Sequence, residues 1–426
     1  MEIIALILFI SIFFGIMSGY PVGIMLGGLS ILFGILLVPD FLDFLPLRIM
    51  GIMENQLLIS IPMFIFMGLM FEKSGLAEKL LESMAVLFGQ LKGGLAVSVV
   101  VVGALLAASS GIVGATVITM GLISLPIMIK RGYSIPLSAG VICASSTLGQ
   151  IIPPSVVLIL LGSVMNVSVG TLFSKALTPG LILVVAYIVY ILIYAQIFPQ
   201  KAPPLPVDYI KEYKKDGFVK KLLLAFLFPL LLIILVLGSI FSGIATPTEA
   251  SALGAAGAIF LTYTQKKLNW EIVKKVCVDT SHLTSMVFLI LLGATTFSMV
   301  FRGLGGEMFL IDLIVGSKLS PMMFLLLVML VVFIAGFFID FIEIIFILVP
   351  IVTPIFITLK MDLIWIGLLL CLNIQTSFLS PPFGFALFYL KGVAPQEVTT
   401  QHIYKGIVPF IAIQLLLLGV YIFFYN

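Results

Sequence analysis

Two proline pairs, Pro153-Pro154 and Pro381-Pro382, stand 228 residues apart in a chain of 426. Each interrupts a long apolar stretch, and each is followed by a lysine and a further proline: Lys175 and Pro179 after the first, Lys405 and Pro409 after the second. Upstream, Pro126 matches Pro354 at an offset of 228, Phe71 to Gly75 matches Phe301 to Gly305 at 230, and Pro21 matches Pro247 at 226. A near-constant offset means that one unit is written twice. In a very apolar chain, two halves that each carry a hydrophobic segment broken by Gly, Ser or Pro point to a secondary transporter and to its binding site.

Composition names the solvent. Hydrophobic residues make up 62% of the chain, charged residues 10%, and the mean hydropathy is +1.30. Soluble proteins carry about 25% charged residues, and no soluble core could hide this much apolar surface, so lipid must surround it. The net charge of +3 comes with no basic run interleaved with aromatics, which leaves no nucleic-acid partner to expect. Cys143, Cys277 and Cys371 form no CxxC and read as inert thiols. The first segment carries Glu2 and no positive flank, so it reads as a retained span rather than a cleaved signal peptide. No Walker, HExxH or GxSxG motif is present, so neither ATP nor a hydrolytic site is expected.

The fold class is therefore an all-α polytopic membrane protein. Full spans are expected at 3–19, 21–38, 56–72, 135–165 (broken) and 178–198, and again at 222–241, 248–264, 280–301, 363–391 (broken) and 406–425. Two further apolar stretches, 94–128 and 321–358, have small or polar residues midway and read as re-entrant hairpins, whose tips must be buried in protein or line a watery cavity. The first repeat is 1–198, the linker 199–221 and the second repeat 222–426. The linker, with Pro199, Pro203, Pro204 and Pro206 before a charged segment, reads as a surface loop and a short interfacial helix. It holds Lys201, Lys211, Lys214, Lys215, Lys220 and Lys221, and Lys266, Lys267, Lys274, Lys275, Lys92, Lys130 and Arg131 fall on the same side, which the positive-inside rule makes cytoplasmic. Both termini then face outward. Five spans per half, an odd number, force the halves to run in opposite directions.

The candidate chemistry lies at the breaks. In the first half, Ala108-Ser109-Ser110-Gly111 through Thr116 at the hairpin tip faces Ser145-Ser146-Thr147-Leu148-Gly149 before the proline pair. In the second, Gly336 to Glu343 faces Asn373-Ile374-Gln375-Thr376-Ser377. A sodium ion needs about five or six oxygens, and an unwound helix rich in Ser and Thr supplies them from hydroxyls and unpaired carbonyls. The competing reading is that small residues merely let helices pack closely; paired clusters at repeat-related positions favour ion binding. Asp340 and Glu343 share one helical face in apolar sequence. A carboxylate at bilayer depth costs about 2.5–3.5 kcal/mol, so each needs a partner or a task. Asp340 ligates a cation or sits behind one; Glu343 does the same or caps the tip. Ser155, which begins a half-helix, offers a hydroxyl beside free N–H groups to an anion. Arg302 either holds a carboxylate through two parallel bonds or snorkels from a span end. His282 and His402 lack metal-ligand spacing.

Several runs carry a family resemblance: GGLAVSVVVVGALLAASSGIVGATVITMGLISLPIMIKRGYS, STLGQIIPPS, IATPTEASALGA and FLSPPFGFALFYLKGVAP. Together, and in this order, they resemble the large membrane subunit of tripartite ATP-independent periplasmic (TRAP) transporters, the DctM-type permease. The resemblance implies an elevator mechanism, in which a core of hairpins and broken helices slides against a scaffold. It implies sodium-coupled import of an organic acid across the bacterial inner membrane, delivered by a periplasmic binding protein, with a small four-span membrane subunit as the other partner. No cofactor is implied beyond sodium as the coupling ion. Residue by residue, it places the first tip on Ser109 and Ser110, the serine after the proline pair on Ser155, the arginine near the substrate on Arg302 and the hairpin-two acid on Asp340. The expected sodium ligands are Ser109, Ser110, Ser146, Thr147, Gly149, Asp340, Thr376 and Ser377, and the expected substrate contacts are Arg302 and Ser155. Ile112 and Val113 interrupt a tip that is richer in Gly and Ser in many members. Three rival readings are a stand-alone anion or sodium/proton exchanger of the same architecture, a membrane-embedded enzyme using Asp340 and Glu343, and a passive scaffold subunit, against which the ionisable residues and broken spans at matching positions argue.

Overall fold

The computed structural model describes residues 2–215, 218, 222–316 and 319–424, and among them every regular element is a helix. Six described helices are long and apolar enough to cross a membrane by length and composition. Ile3, Leu36, Ile197 and Leu416 stand exposed on the outside of the bundle, as lipid-facing side chains do.

The two halves repeat element by element. Helices Glu2–Met17, Val22–Leu37 and Gln56–Lys73 correspond to Phe228–Phe241, Pro247–Thr264 and Trp270–Gly303. Each trio leads into a short helix (Leu76–Phe88; Gly306–Gly316) and then a hairpin (Gly94–Ser110 with Val113–Lys130; Pro321–Ala335 with Phe341–Thr358). A broken helix follows (Ile135–Thr147 and Val156–Val164; Leu363–Leu379 and Phe385–Val393), and a long helix closes each half (Val169–Ile197; Thr400–Phe423). Cys143 and Cys371 occupy matching places in the broken helices, and both proline pairs contain a cis peptide bond.

Several helices run past the apolar segments that announce them. Trp270–Gly303 begins ten residues before the expected span at 280, because Asn269 caps a polar first turn that includes Glu271. Ser168, Thr246 and Thr399 cap their helices in the same way, each accepting a backbone N–H three residues on. A hydroxyl or amide at the N-cap satisfies one of the four orphan N–H groups of a helix start, which is why hydropathy alone places the starts at Val169, Trp270 and Thr400 late. Leu45–Met53, Leu76–Phe88 and Gly306–Gly316 are short helices that no expected span contains.

The halves exchange helices. Val22–Leu37 packs on Trp270–Gly303, and Pro247–Thr264 packs on Gln56–Lys73, the reciprocal pairing that an internal two-fold requires. Glycine makes the first contact possible: a side chain on Gly293 would strike the carbonyl of Gly23. The closing helices of the two halves, Val169–Ile197 and Thr400–Phe423, also meet each other. The amide Nε2 of Gln414 donates to the hydroxyl of Tyr187 at 2.6 Å, across 227 residues of sequence, and Phe410 packs edge-on against Tyr187 at 5.0 Å. Tyr187 is fully buried. Gln414→Leu is therefore expected to cost roughly 1–3 kcal/mol through the stranded hydroxyl. Thermal unfolding in detergent should show the loss, and adding Tyr187→Phe should restore most of it.

The linker is less of a surface loop than its prolines suggest. Ala202 and Leu205 are buried, and backbone bonds run from Gly93 N–H to Ala202 O, Ser134 N–H to Lys201 O and Leu205 N–H to Gly89 O. This strap crosses the open end of the first hairpin before the helix Val207–Lys215 begins, where Arg131 lies over the Tyr209 ring at 4.6 Å. Lys220 and Lys221 lie outside the described residues.

Candidate functional site

Each hairpin tip presses on the break of its own half, and small residues set the spacing. In the first half, Gly111 takes the left-handed conformation (φ +61°) that ends Gly94–Ser110, and its N–H bonds back to Ala107 O at 2.9 Å. Gly149 sits in the 3-10 turn Leu148–Gln150 directly against Ala107, so that a Cβ there would lie 2.9 Å from the Ala107 Cβ. Ser109 is buried and its Oγ donates to Leu106 O at 2.8 Å, while Thr147 Oγ1 donates to Ala144 O at 2.9 Å. Ser146 Oγ is buried with no hydrogen-bond partner. The side chain of Ser110 lies outside the described residues.

The second half has the same design with roles exchanged. Gly336 is now on the hairpin and meets Ser377 on the broken helix, where any Cβ on Gly336 would collide with the Ser377 hydroxyl. Thr376 Oγ1 donates to Leu372 O at 2.7 Å and Ser377 Oγ to Ile374 O at 2.8 Å. Asn373 reaches out of the helix, its Nδ2 donating to Met329 O on the hairpin at 2.7 Å. A hydroxyl that donates its proton to a carbonyl three or four residues back keeps its lone pairs. Ser109, Thr147, Thr376 and Ser377 can therefore each still ligate a cation.

The two breaks cross. Cys371 Sγ donates to Gln150 O at 3.0 Å, and Cys143 Sγ to Ala386 O at 3.6 Å, each reaching into the opposite half. Gln150 and Gln375 are fully buried and neither side-chain amide has a partner. Sequence reasoning gave these glutamines no role, although a carboxamide in an apolar break was the available signal.

Where the tips meet, two adjoining chambers open. The smaller, about 110 Å³, is lined by Ile112, Val113 and Gly114 of the first tip, Asp340, Phe341 and Ile342 of the second, and Val156, Phe378 and Tyr389 of the broken helices; Ile65, Leu283, Met286 and Val287 form the facing wall. The larger, about 390 Å³, shares Asp340 and Met286, adds Glu343, Phe338 and Phe385, and reaches the exposed turn around Tyr20. Ile112 and Val113, which interrupt the polar tip in the sequence, turn out to be cavity wall. Glu343 closes a capping box on the second tip, its Oε2 accepting from Asp340 N–H at 3.2 Å.

Four helices begin at this place: those starting at Val113, Val156, Phe341 and Phe385. Each presents N–H groups without intrahelical partners and the positive end of its dipole. Among the described residues that line the chambers there is no Lys, Arg or His. The positive pole of the cavity is backbone.

The two expected substrate contacts are not brought together. Ser155 is fully buried and spends its hydroxyl as the N-cap of Val156–Val164, donating to Gln150 O and accepting from Leu158 N–H at 3.4 Å. The Arg302 side chain is about half exposed, its Nε bonded to Glu307 Oε2, and it lines neither chamber. Asp340 lies on the cavity itself, where Tyr389, absent from sequence reasoning, also stands.

Inverted halves, buried breaks and a mid-chain cavity with a backbone positive pole define a membrane permease. Comparison with known proteins places it further: the family model for the tripartite ATP-independent periplasmic transporter, DctM component, matches residues 9–426, and the chain belongs to that family. It is 33% identical over 368 residues to the C4-dicarboxylate TRAP transporter large permease protein DctM of Pseudomonas aeruginosa, covering 86% of this chain and 84% of the relative. It is 28% identical over 393 residues to the sialic acid TRAP transporter large permease protein SiaM of Vibrio cholerae, covering 92% and 90%. Among solved structures, the YdaH transporter of Alcanivorax borkumensis shares the fold, with TM-score 0.62 at 12% identity over 90% of this chain and 88% of that one.

Proposed function

We propose that this chain is the translocating subunit of a sodium-coupled importer of a small organic acid in the bacterial inner membrane. Its termini lie on the periplasmic side, and it works with a small four-span subunit and a periplasmic binding protein. The observation that carries the reading is the convergence of four helix starts, two from each repeat, on two adjoining chambers, with Val113, Val156 and Phe341 on the smaller and Phe385 on the larger. Such starts favour a carboxylate without any cationic side chain. The coupling cations belong on either side of it. One sits among Ser109, Ser110, Ser146, Thr147 and Gly149, the other at Thr376 and Ser377 with Asp340 supplying negative charge nearby. Family membership and the presence of transporter permeases among its relatives support the reading of the chain as a permease.

An elevator displacement accounts for the position of Arg302. The chambers touch Leu283 to Ile290 of Trp270–Gly303, whereas Arg302 lies twelve residues beyond Ile290, roughly 18 Å along the helix at 1.5 Å per residue. With the Lys-rich side cytoplasmic, the cavity faces inward here, and Arg302 meets the acid only after the core has moved outward. Arg302→Ala is expected to reduce uptake about tenfold or more while leaving binding to the inward-facing cavity unchanged.

The test is reconstitution. The binding protein's acid is first identified by thermal stabilisation with a panel of carboxylic acids. Uptake of that acid into proteoliposomes carrying both membrane subunits should then require an inward sodium gradient and the binding protein. Equal uptake with potassium replacing sodium, or undiminished uptake without the binding protein, rejects the reading.

A further inference from the structure

We infer that the acid accepted by this cavity is a monocarboxylate with an apolar body, and that dicarboxylates are turned away. The inference rests on the proposed reading of the cavity and narrows it to a substrate class. The scaffold contributes Ile65, Leu283, Met286 and Val287 to the smaller chamber, and the core adds Phe341 and Phe378. These side chains offer no hydrogen bond, so the part of the solute lying against them is hydrocarbon or an aromatic ring. One carboxylate is provided for at the helix starts of Val113 and Val156.

A second carboxylate has nowhere to go. Among the described residues of both chambers no side chain carries positive charge. The helix start at Phe341 is already occupied by the Asp340–Glu343 capping box. Both of those carboxyl groups border the larger chamber and Asp340 the smaller one as well, and a single sodium ion neutralises only one of them. A dicarboxylate in this cavity would set its second charge in apolar surroundings beside like charge, a juxtaposition that costs several kcal/mol.

The experiment uses the purified complex of this chain with its small membrane subunit, in nanodiscs and sodium chloride, titrated with two probes of equal backbone length. 4-Methylpentanoate ends in a branched apolar group and glutarate in a second carboxylate. 4-Methylpentanoate is expected to reach half-saturation at a concentration about tenfold lower or more. The ratio should shrink in the Asp340→Asn/Glu343→Gln double variant. It should also shrink in Met286→Gln, which alters the apolar wall and leaves the acids in place. Glutarate binding to the wild type as tightly as 4-methylpentanoate overturns the substrate class alone. Failure of both probes to bind in sodium overturns the class and the reading beneath it. The wild-type comparison decides even where a variant does not assemble.

Discussion

Gly336→Ala is expected to abolish sodium-coupled uptake at ordinary sodium concentrations. The added methyl would strike the Ser377 hydroxyl and stand 2.6 Å from its Cβ, so the second hairpin must lift from the broken helix. Overpacking of this kind costs about 1–3 kcal/mol, and here the cost falls on the oxygens proposed to hold a cation. A loss of about 1.4 kcal/mol is tenfold in affinity, so the sodium half-saturation of uptake should rise by about tenfold or more. The other half of the molecule supplies the control. There the glycine, Gly149, is on the broken helix and the alanine, Ala107, on the hairpin. Gly336→Ala combined with Ser377→Gly copies that arrangement and should relieve the overlap, judged by recovery of the thermal unfolding temperature. It should not restore the sodium response, because the Ser377 hydroxyl is gone. Full recovery of both would show that the hydroxyl has no part in cation binding.

Gly406→Leu is expected to eliminate the folded protein. Helices Ile135–Thr147 and Thr400–Phe423 touch backbone to backbone: a Cβ on Gly406 would strike the Pro136 carbonyl, and one on Gly140 the Gly406 carbonyl. A flexible side chain can swing aside, but a helix carbonyl cannot. The helices would have to separate along their length, exposing fully buried residues such as Ile403, Ile407 and Val141 to one another's voids. Cavity formation at several such positions costs several kcal/mol, against a total stability of about 5–15 kcal/mol. Expression as a fluorescent fusion should yield only aggregate. A monodisperse peak would mean that the interface relaxes far more than close-packed backbones allow.

The parts of this fold that depend on repetition and solvent could be read in the sequence. Proline offsets located both breaks, and small residues midway along 94–128 and 321–358 located both tips, now seen at Gly111–Ile112 and between Ala335 and Phe341. Lipid imposes this legibility, because an apolar run must either cross or turn back inside protein. The short helices were not legible, since a helix that does not cross the bilayer has no required length. Nor was the cavity wall. Ile65, Met286 and Tyr389 are apolar or aromatic residues in apolar helices, and only the crossing of distant segments makes them neighbours. Arg302 shows the opposite limit. Its chemistry could be read, but its partner Glu307 depends on the turn at Gly305, which folds the next helix back toward the guanidinium.

The helix starts around the cavity have a consequence for how this permease can change over time. Peptide N–H groups do not titrate, and no exchange of one side chain for another deletes them, proline apart. Unlike the share set by Asp340 and Glu343, the share of the proposed attraction for a negative end group that comes from these starts is therefore indifferent to pH wherever that group stays ionised. Residues such as Met286 or Tyr389 are free to drift without forfeiting it. A lineage built on this plan can trade one cargo for another by repainting the walls, because the charge it must greet is met by the architecture itself.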